Sequence, residues 1–150
     1  MAEDPPDGRN FMNADVFLDT NILIYAYDSE AGKKHQTAKD IVYGYWESGG
    51  ALISTQVIQE FYVNVTHKIP SPLPKPIARS IIEQYRVWPV VGIGMDTILR
   101  STEIQERYEF SFWDSLIVSA AEKGKAKYIL TEDLSHDQLV AGIKIHNPFN

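Results

Sequence analysis

The 150-residue sequence predicts an α/β fold in three layers, with helices on both faces of a mostly parallel sheet of four to five strands. Three observations lead there. Short strand-like runs recur at 16–18, 51–53, 88–91, 128–130 and 143–146, each too short for a helix, and those at 16–18, 51–53 and 128–130 are too continuous for a strand with one wet face. Segments with helical apolar spacing separate these runs, as βα crossovers require. A composition of 44% hydrophobic and 23% charged residues, at this length, suits one compact domain.

Residues 1–11 contain Pro5-Pro6 and Asp7-Gly8 and read as a loose arm or leader ahead of a domain at 12–150, with Met12 as an alternative start. The first strand, Val16 to Leu18, runs into Asp19, Thr20 and Asn21, any of which can cap the short buried helix from Ile22 to Tyr27. A loop over 29–35 follows. Ala38, Ile41, Val42, Tyr45 and Trp46 recur at helical spacing and end at Ser48-Gly49-Gly50. After the second strand, Ser54 and Thr55 cap a helix to about His67, with Val57, Ile58, Phe61, Tyr62 and Val65 inward. Gln56, Glu60 and Asn64 form its polar stripe, with His67 nearby.

Four prolines between 70 and 76 predict a stiff loop, since each removes a backbone donor and fixes φ. Ile77, Ile81, Ile82 and Tyr85 give the next helix, and Trp88 to Val91 a third strand closed by Gly92-Ile93-Gly94. A helix from Met95 to about Tyr108 comes next. Ser111-Phe112-Trp113-Asp114 matches a capping box and opens a deeply apolar helix that ends at Gly124. Tyr128 to Leu130 is the fourth strand, ending in Thr131-Glu132-Asp133, and Ile143 to His146 the fifth. Right-handed crossovers bring the strands' carboxyl ends to one rim, where open α/β sheets keep their sites.

Without cysteine the chain can form neither a disulfide nor a thiolate metal site, so a bound metal must rest on oxygen or imidazole ligands. No run approaches the roughly 20 apolar residues of a membrane span, and the expectation is a soluble, cytoplasmic protein. A net charge of −6 argues against broad nonspecific nucleic-acid binding, which depends on cations displacing counterions from phosphates. It leaves room for a local basic patch.

Asp19 and Asp133 follow strands, Asp114 opens a helix, and Glu60 lies one turn into another, so all four can meet at the same rim. Carboxylates held close together repel, and a hard divalent cation relieves that repulsion. Such sites polarise phosphates and activate water without a nucleophilic side chain. Each acid also has a plain structural explanation: Asp19 and Asp114 as helix caps, Glu60 as a solvated helix residue, Asp133 as a turn residue. Their joint position carries the functional reading. Lys123, Lys125 and Lys127 read as complements to a helix dipole, and Phe112-Trp113 as packing rather than a stacking platform.

In these motifs the chain resembles the PIN-domain ribonucleases, and within them the VapC-type toxins of toxin–antitoxin pairs. The matching segments are Leu18-Asp19-Thr20-Asn21-Ile22-Leu23 with Tyr25 and Asp28, 54–61, 112–117 with Ala120-Ala121, and 130–134. The resemblance implies that Asp19, Glu60 and Asp114 bind metal, with Asp133 as a variable fourth acid for which Glu132 and Asp137 compete. It implies that Thr20, Asn21 and Thr131 hold those acids or their waters. It further implies Mg²⁺- or Mn²⁺-dependent cleavage of RNA, a homodimer, and a cognate antitoxin that blocks the site. Lys33, Lys34, Lys68, Lys75 and Arg79 are the cations considered for RNA contact.

Two other readings stand beside it. One is a PIN-like module that binds RNA or a protein partner without turnover. The other is a phosphatase of haloacid-dehalogenase type, disfavoured because its second acid would fall at Asn21.

Overall fold

The computed structural model describes residues 15–150. The expected leader at 1–11 lies outside the described residues. In chain order the elements are β1 (Val16–Leu18), α1 (Thr20–Tyr27), α2 (Lys33–Ser48), β2 (Ala51–Ser54), α3 (Thr55–Val63), α4 (Lys75–Gln84), β3 (Val90–Val91), α5 (Met95–Tyr108), α6 (Phe112–Lys123), β4 (Tyr128–Leu130), β5 (Leu139–Val140) and β6 (Ile143–His146). A π-helical turn, Asn64–Lys68, continues α3, and a 3₁₀ turn, Tyr85–Val87, follows α4.

The six strands lie in the order β3-β2-β1-β4-β6-β5. All pairings are parallel except β5 with β6. From β1 the chain moves outward through β2 to β3, then returns across the sheet to place β4 on the other side of β1. The seam between β1 and β4 is therefore the point where the winding reverses, and in such sheets the crevice lies there at the strands' carboxyl ends. Val16, Phe17 and Leu18 pair with Tyr128, Ile129 and Leu130. All six are buried, as a strand covered on both faces demands.

Helix α6 is nearly all buried from Ser115 to Ala121. Gly124 ends it against the sheet, where an added Cβ would stand 2.2 Å from Leu52 Cδ1 and 3.1 Å from Val91 Cγ2. Glycine is required there for clearance, because its φ of −77° is open to any residue.

The structure departs from the sequence expectation in several places. The sheet has six strands, because Leu139–Val140 turns back through Ala141-Gly142 to pair antiparallel with Ile143–His146. Both turn residues have positive φ, the backbone of a tight two-residue hairpin, and Ala141 lacks the usual Asn or Asp signal. Helix α2 starts inside the expected loop, at Lys33, because Gly32 opens it without a side-chain cap. Lys75 and Pro76 belong to the first turn of α4, where a proline loses no needed donor. The third strand shortens to Val90–Val91, and Trp88 is a buried core residue whose indole N–H donates to the Tyr45 carbonyl at 3.3 Å. No helix among the described residues is long and apolar enough to cross a membrane.

Candidate active site

Asp19 leaves β1 in extended conformation, with its amide bonded to the Leu130 carbonyl of β4 at 3.0 Å. That bond carries the sheet's register one residue past the strand and fixes the carboxylate over the seam. Oδ1 accepts from the Thr20 amide at 2.6 Å and Oδ2 from the Thr131 hydroxyl at 2.7 Å. Asp19 thus caps α1 and faces the crevice. Thr20 in turn donates to Glu60 Oε1 at 2.5 Å, tying the start of α1 to the first turns of α3. Gln56 Nε2 donates to Glu60 Oε2 at 3.3 Å from one turn earlier. Asn21 Nδ2 donates to Asp133 Oδ2 at 3.1 Å and reaches Thr131 Oγ1 at 3.5 Å.

Asp19, Glu60, Asp114 and Asp133 all line one cavity of about 470 Å³, together with Thr20, Asn21, Gln56, Asn64, Lys68 and Trp113. The structure thus brings the four expected acids to one place. Asp114 enters from the start of α6, where Ser111 caps its amide at 3.1 Å. The cap accounts for the helix start and leaves the carboxylate facing the cavity. Of the competing acids, Glu132 is held by the Tyr25 hydroxyl at 2.5 Å and by Lys34 at 2.8 Å. Asp137 pairs loosely with His136 and Lys144. Neither lines the cavity.

The proton affinities reflect crowding. Asp19 is pushed up to about 7, first by burial, against the bonds from Thr131 and Thr20, with Asp133 and Glu60 adding repulsion. Asp114 is raised by burial and by Glu60, with Ser111 opposing. Asp133 is raised by burial, then by Asp114 and Glu132, with Asn21 opposing and Glu60 adding to the rise. Lys68 is the one cation among the described lining residues. Lys34 is engaged with Glu132, Arg79 lines a separate hollow with Ile82 and Val90, and Lys33 and Lys75 do not line the acidic cavity.

Two further acceptors are orphaned. Asn21 Oδ1 and Gln56 Oε1 are buried without a hydrogen-bond partner. Their orientation follows from the network. Asn21 Nδ2 faces the Asp133 carboxylate, and it also faces a Thr131 hydroxyl whose proton goes to Asp19; Gln56 Nε2 faces the Glu60 carboxylate and the Trp113 carbonyl. Flipping either amide would set oxygen against oxygen. Buried acceptors left open in this way call for a donor from outside the chain.

Among the described residues no three carboxylates or imidazoles converge tightly enough to hold an ion by themselves. The donor set is nonetheless all oxygen and spread around one hollow. That suits a hard cation which keeps several waters and takes oxygens from its substrate, since such waters would also satisfy the open amide oxygens. A thiolate- or imidazole-seeking metal finds no ligand among the residues lining the cavity.

Sequence reasoning left three lining residues unplaced at the site: Gln56, Trp113 and Lys68, the last named only as one of five cations considered for RNA contact. Gln56 was visible only as part of a polar stripe. Lys68 rather than His67 reaches the cavity, because the chain continues α3 as the wider turn Asn64–Lys68, closed by the Ile69 amide on the Asn64 carbonyl at 3.1 Å. The reading of Phe112-Trp113 as packing holds for partly buried Phe112, while Trp113 is 62% exposed at the cavity mouth. Trp113 occupies the first turn of α6, one turn before the buried Ile117 on the same face.

Fold and cavity together define a class: a doubly wound α/β domain that gathers carboxylates where its winding reverses. Within that class the chain belongs to the PIN domain family, whose model matches residues 16–141. Similar solved structures include a chain of a toxin–antitoxin complex from Klebsiella pneumoniae, 18% identical with a TM-score of 0.67, covering 89% of this chain and 98% of that one. VapC20 from Mycobacterium tuberculosis, described as a sarcin-ricin loop cleaving toxin, is 17% identical with a TM-score of 0.60 over 79% of this chain and 90% of its own. VapBC2 from Rickettsia felis, bound to a promoter DNA fragment, is 17% identical with a TM-score of 0.60, covering 88% and 97%. At these identities the shared property is the fold. Comparison with curated protein sequences gives no match.

Proposed function

We propose that this chain is a divalent-metal-dependent endoribonuclease, the toxin of a toxin–antitoxin pair. The observation that carries the reading is the joint placement of Asp19, Glu60, Asp114 and Asp133 in one cavity at the β1–β4 seam. Family membership and the toxin complexes that share the fold support it. Asp19, Glu60, Asp114 and, at the edge, Asp133 would hold Mg²⁺ or Mn²⁺. When bound, the ion supplies Lewis-acid polarisation of a phosphodiester and lowers the pKa of an attacking water.

The chain's own residues do the rest. Thr20 and Thr131 hold Glu60 and Asp19 by donating to them, which keeps both carboxylates aimed, and the Thr131 bond opposes protonation of Asp19. Asn21 holds Asp133, and its open oxygen accepts from a water or a sugar hydroxyl. Lys68 offers a charge to a substrate phosphate at the same cavity. A cognate antitoxin that covers the cavity, and a homodimer, complete the proposal. The acid-lined hollow would attract a basic segment from such an inhibitor.

Purified protein incubated with a cellular RNA pool and Mn²⁺ or Mg²⁺, beside Asp114→Asn, tests it. Discrete new ends made only by the unmutated protein are expected. A fully active Asp114→Asn variant overturns the assignment. One observation favours a second reading, a binding module without turnover: the absence of three tightly convergent acids among the described residues. Metal-titration calorimetry separates the two, since the module predicts no binding that depends on Asp19.

A further inference from the structure

We infer that the Trp113 indole is a stacking platform for an unpaired base next to the scissile phosphate. This rests on the ribonuclease reading and names how the same cavity takes its substrate. The chain has three tryptophans, and their surroundings differ. Trp88 is 4% exposed, with its N–H bonded, and Trp46 packs against Tyr85 and Trp88. Trp113 is 62% exposed and lines the acidic cavity.

Exposure alone does not mark a site, since Met95 and Leu139 are more exposed still; what sets Trp113 apart is that its exposed ring lines the acidic cavity. Its setting is firm. Phe112 meets the ring edge-on at 5.2 Å, and the Trp113 carbonyl accepts from Gln56 Nε2 at 3.3 Å, which pins the backbone to α3. Asp114 is the next residue, and both side chains line the same cavity. Across the cavity stand Lys68 for a phosphate and the open oxygens of Asn21 and Gln56 for hydroxyl or amino donors.

A base on the indole with its phosphate at the acids fits this arrangement. Stacking uses the π-face that every base has, so the platform selects for an unpaired base and not for base identity. A base inside a duplex has both faces covered and cannot reach it. Single-stranded or bulged positions are therefore the substrate class, and Trp113 acts on substrate binding while the acids act on bond cleavage.

The test has two readouts. A short single-stranded RNA of mixed sequence, and the same strand annealed to its complement, are titrated in Ca²⁺ at stated salt. Anisotropy of the labelled RNA reports binding, and tryptophan emission, taken as the difference between the unmutated protein and Trp113→Phe, reports Trp113. Quenching of that difference by the single strand and not by the duplex is expected. Cleavage by Trp113→Ala is expected to fall about tenfold through a raised KM, with most of it recovered by Trp113→Phe, which keeps a ring face. Binding of the single strand with unaltered Trp113 emission overturns the inference alone, as does a Trp113→Ala variant that cleaves like the unmutated protein. Absence of any RNA binding overturns the ribonuclease reading and the inference with it.

Discussion

Helix α3 has two faces built to opposite rules. Val57 and Phe61, with Val65 in the turn beyond, are fully buried, and Phe61 meets Tyr27 and Tyr85 edge-on at 5.7 and 5.3 Å. On the other face Gln56, Glu60 and Asn64 line a hollow shared with three more carboxylates and one lysine. The first face has apolar contacts satisfied on every side. The second has acids crowded against acids and two amide oxygens without donors. The difference teaches where this chain keeps its stability and where it gives stability up. Substitutions on the core face should cost folding, and those on the cavity face should cost activity.

The largest expected effect is on the cavity side. Asp19→Asn and Asp114→Asn should each reduce metal-dependent RNA cleavage by roughly a thousandfold or more, the scale of removing a preorganised electrostatic group. Both should keep the circular dichroism spectrum of the folded protein. Loss of fold in either would break the division between the faces.

Phe61→Ala should do the reverse. Removing a fully buried ring costs about 4 kcal/mol of stability, read in urea unfolding. Cleavage per folded molecule should change far less than in Asp114→Asn, although Phe61 adjoins Glu60 in sequence.

The pH dependence of the metal-free protein sharpens the contrast. Asp19 holds its proton up to about 7 in the folded state, against 3.8 as its ordinary value, so the folded chain binds the extra proton between those two values. Its contribution is therefore greatest near pH 4, declines as pH rises toward 7 and levels off above it, a loss on the order of 4 kcal/mol. Denaturant midpoints measured from pH 4 to 8 in chelator should show that decline, and Asp19→Asn should flatten it. A metal-free protein whose stability rises over that window would contradict the burial of Asp19 as a repelled acid. Added divalent cation should restore stability near pH 7 in the unmutated protein alone.

How much of this was visible in the residues divides along the same lines. The apolar runs of β1, β2 and β4 were legible because a strand covered on both faces leaves few polar positions, and β6 from Ile143 and Ile145, its two buried residues. Helix α6 was legible from Ser111 three residues before Asp114, and Asp19, Glu60, Asp114 and Asp133 from their places after strands and in first turns. Strand β5 was hidden because two residues carry no period and its turn uses Ala141 at positive φ. The start of α2 was hidden because Gly32 supplies no capping side chain. Lys68, named only among five cations, and Trp113, read as packing, were not placed at the cavity for a different reason. Which residue reaches a cavity depends on the turn Asn64–Lys68 and on what lies above the first turn of α6, and both are tertiary facts.

The clearance at Gly124 has a consequence in genetic terms. With Leu52 Cδ1 at 2.2 Å from the place a methyl would occupy and Val91 Cγ2 at 3.1 Å, positions 124 and 52 are not free to vary independently. Gly124→Ala should destabilise the fold by about 1–3 kcal/mol, as overpacking does. A selection for suppressors should return a shorter side chain at 52, such as Leu52→Val, before any change at 91. Relatives that carry a side chain at the end of this helix would then be expected to have traded bulk away from the second strand.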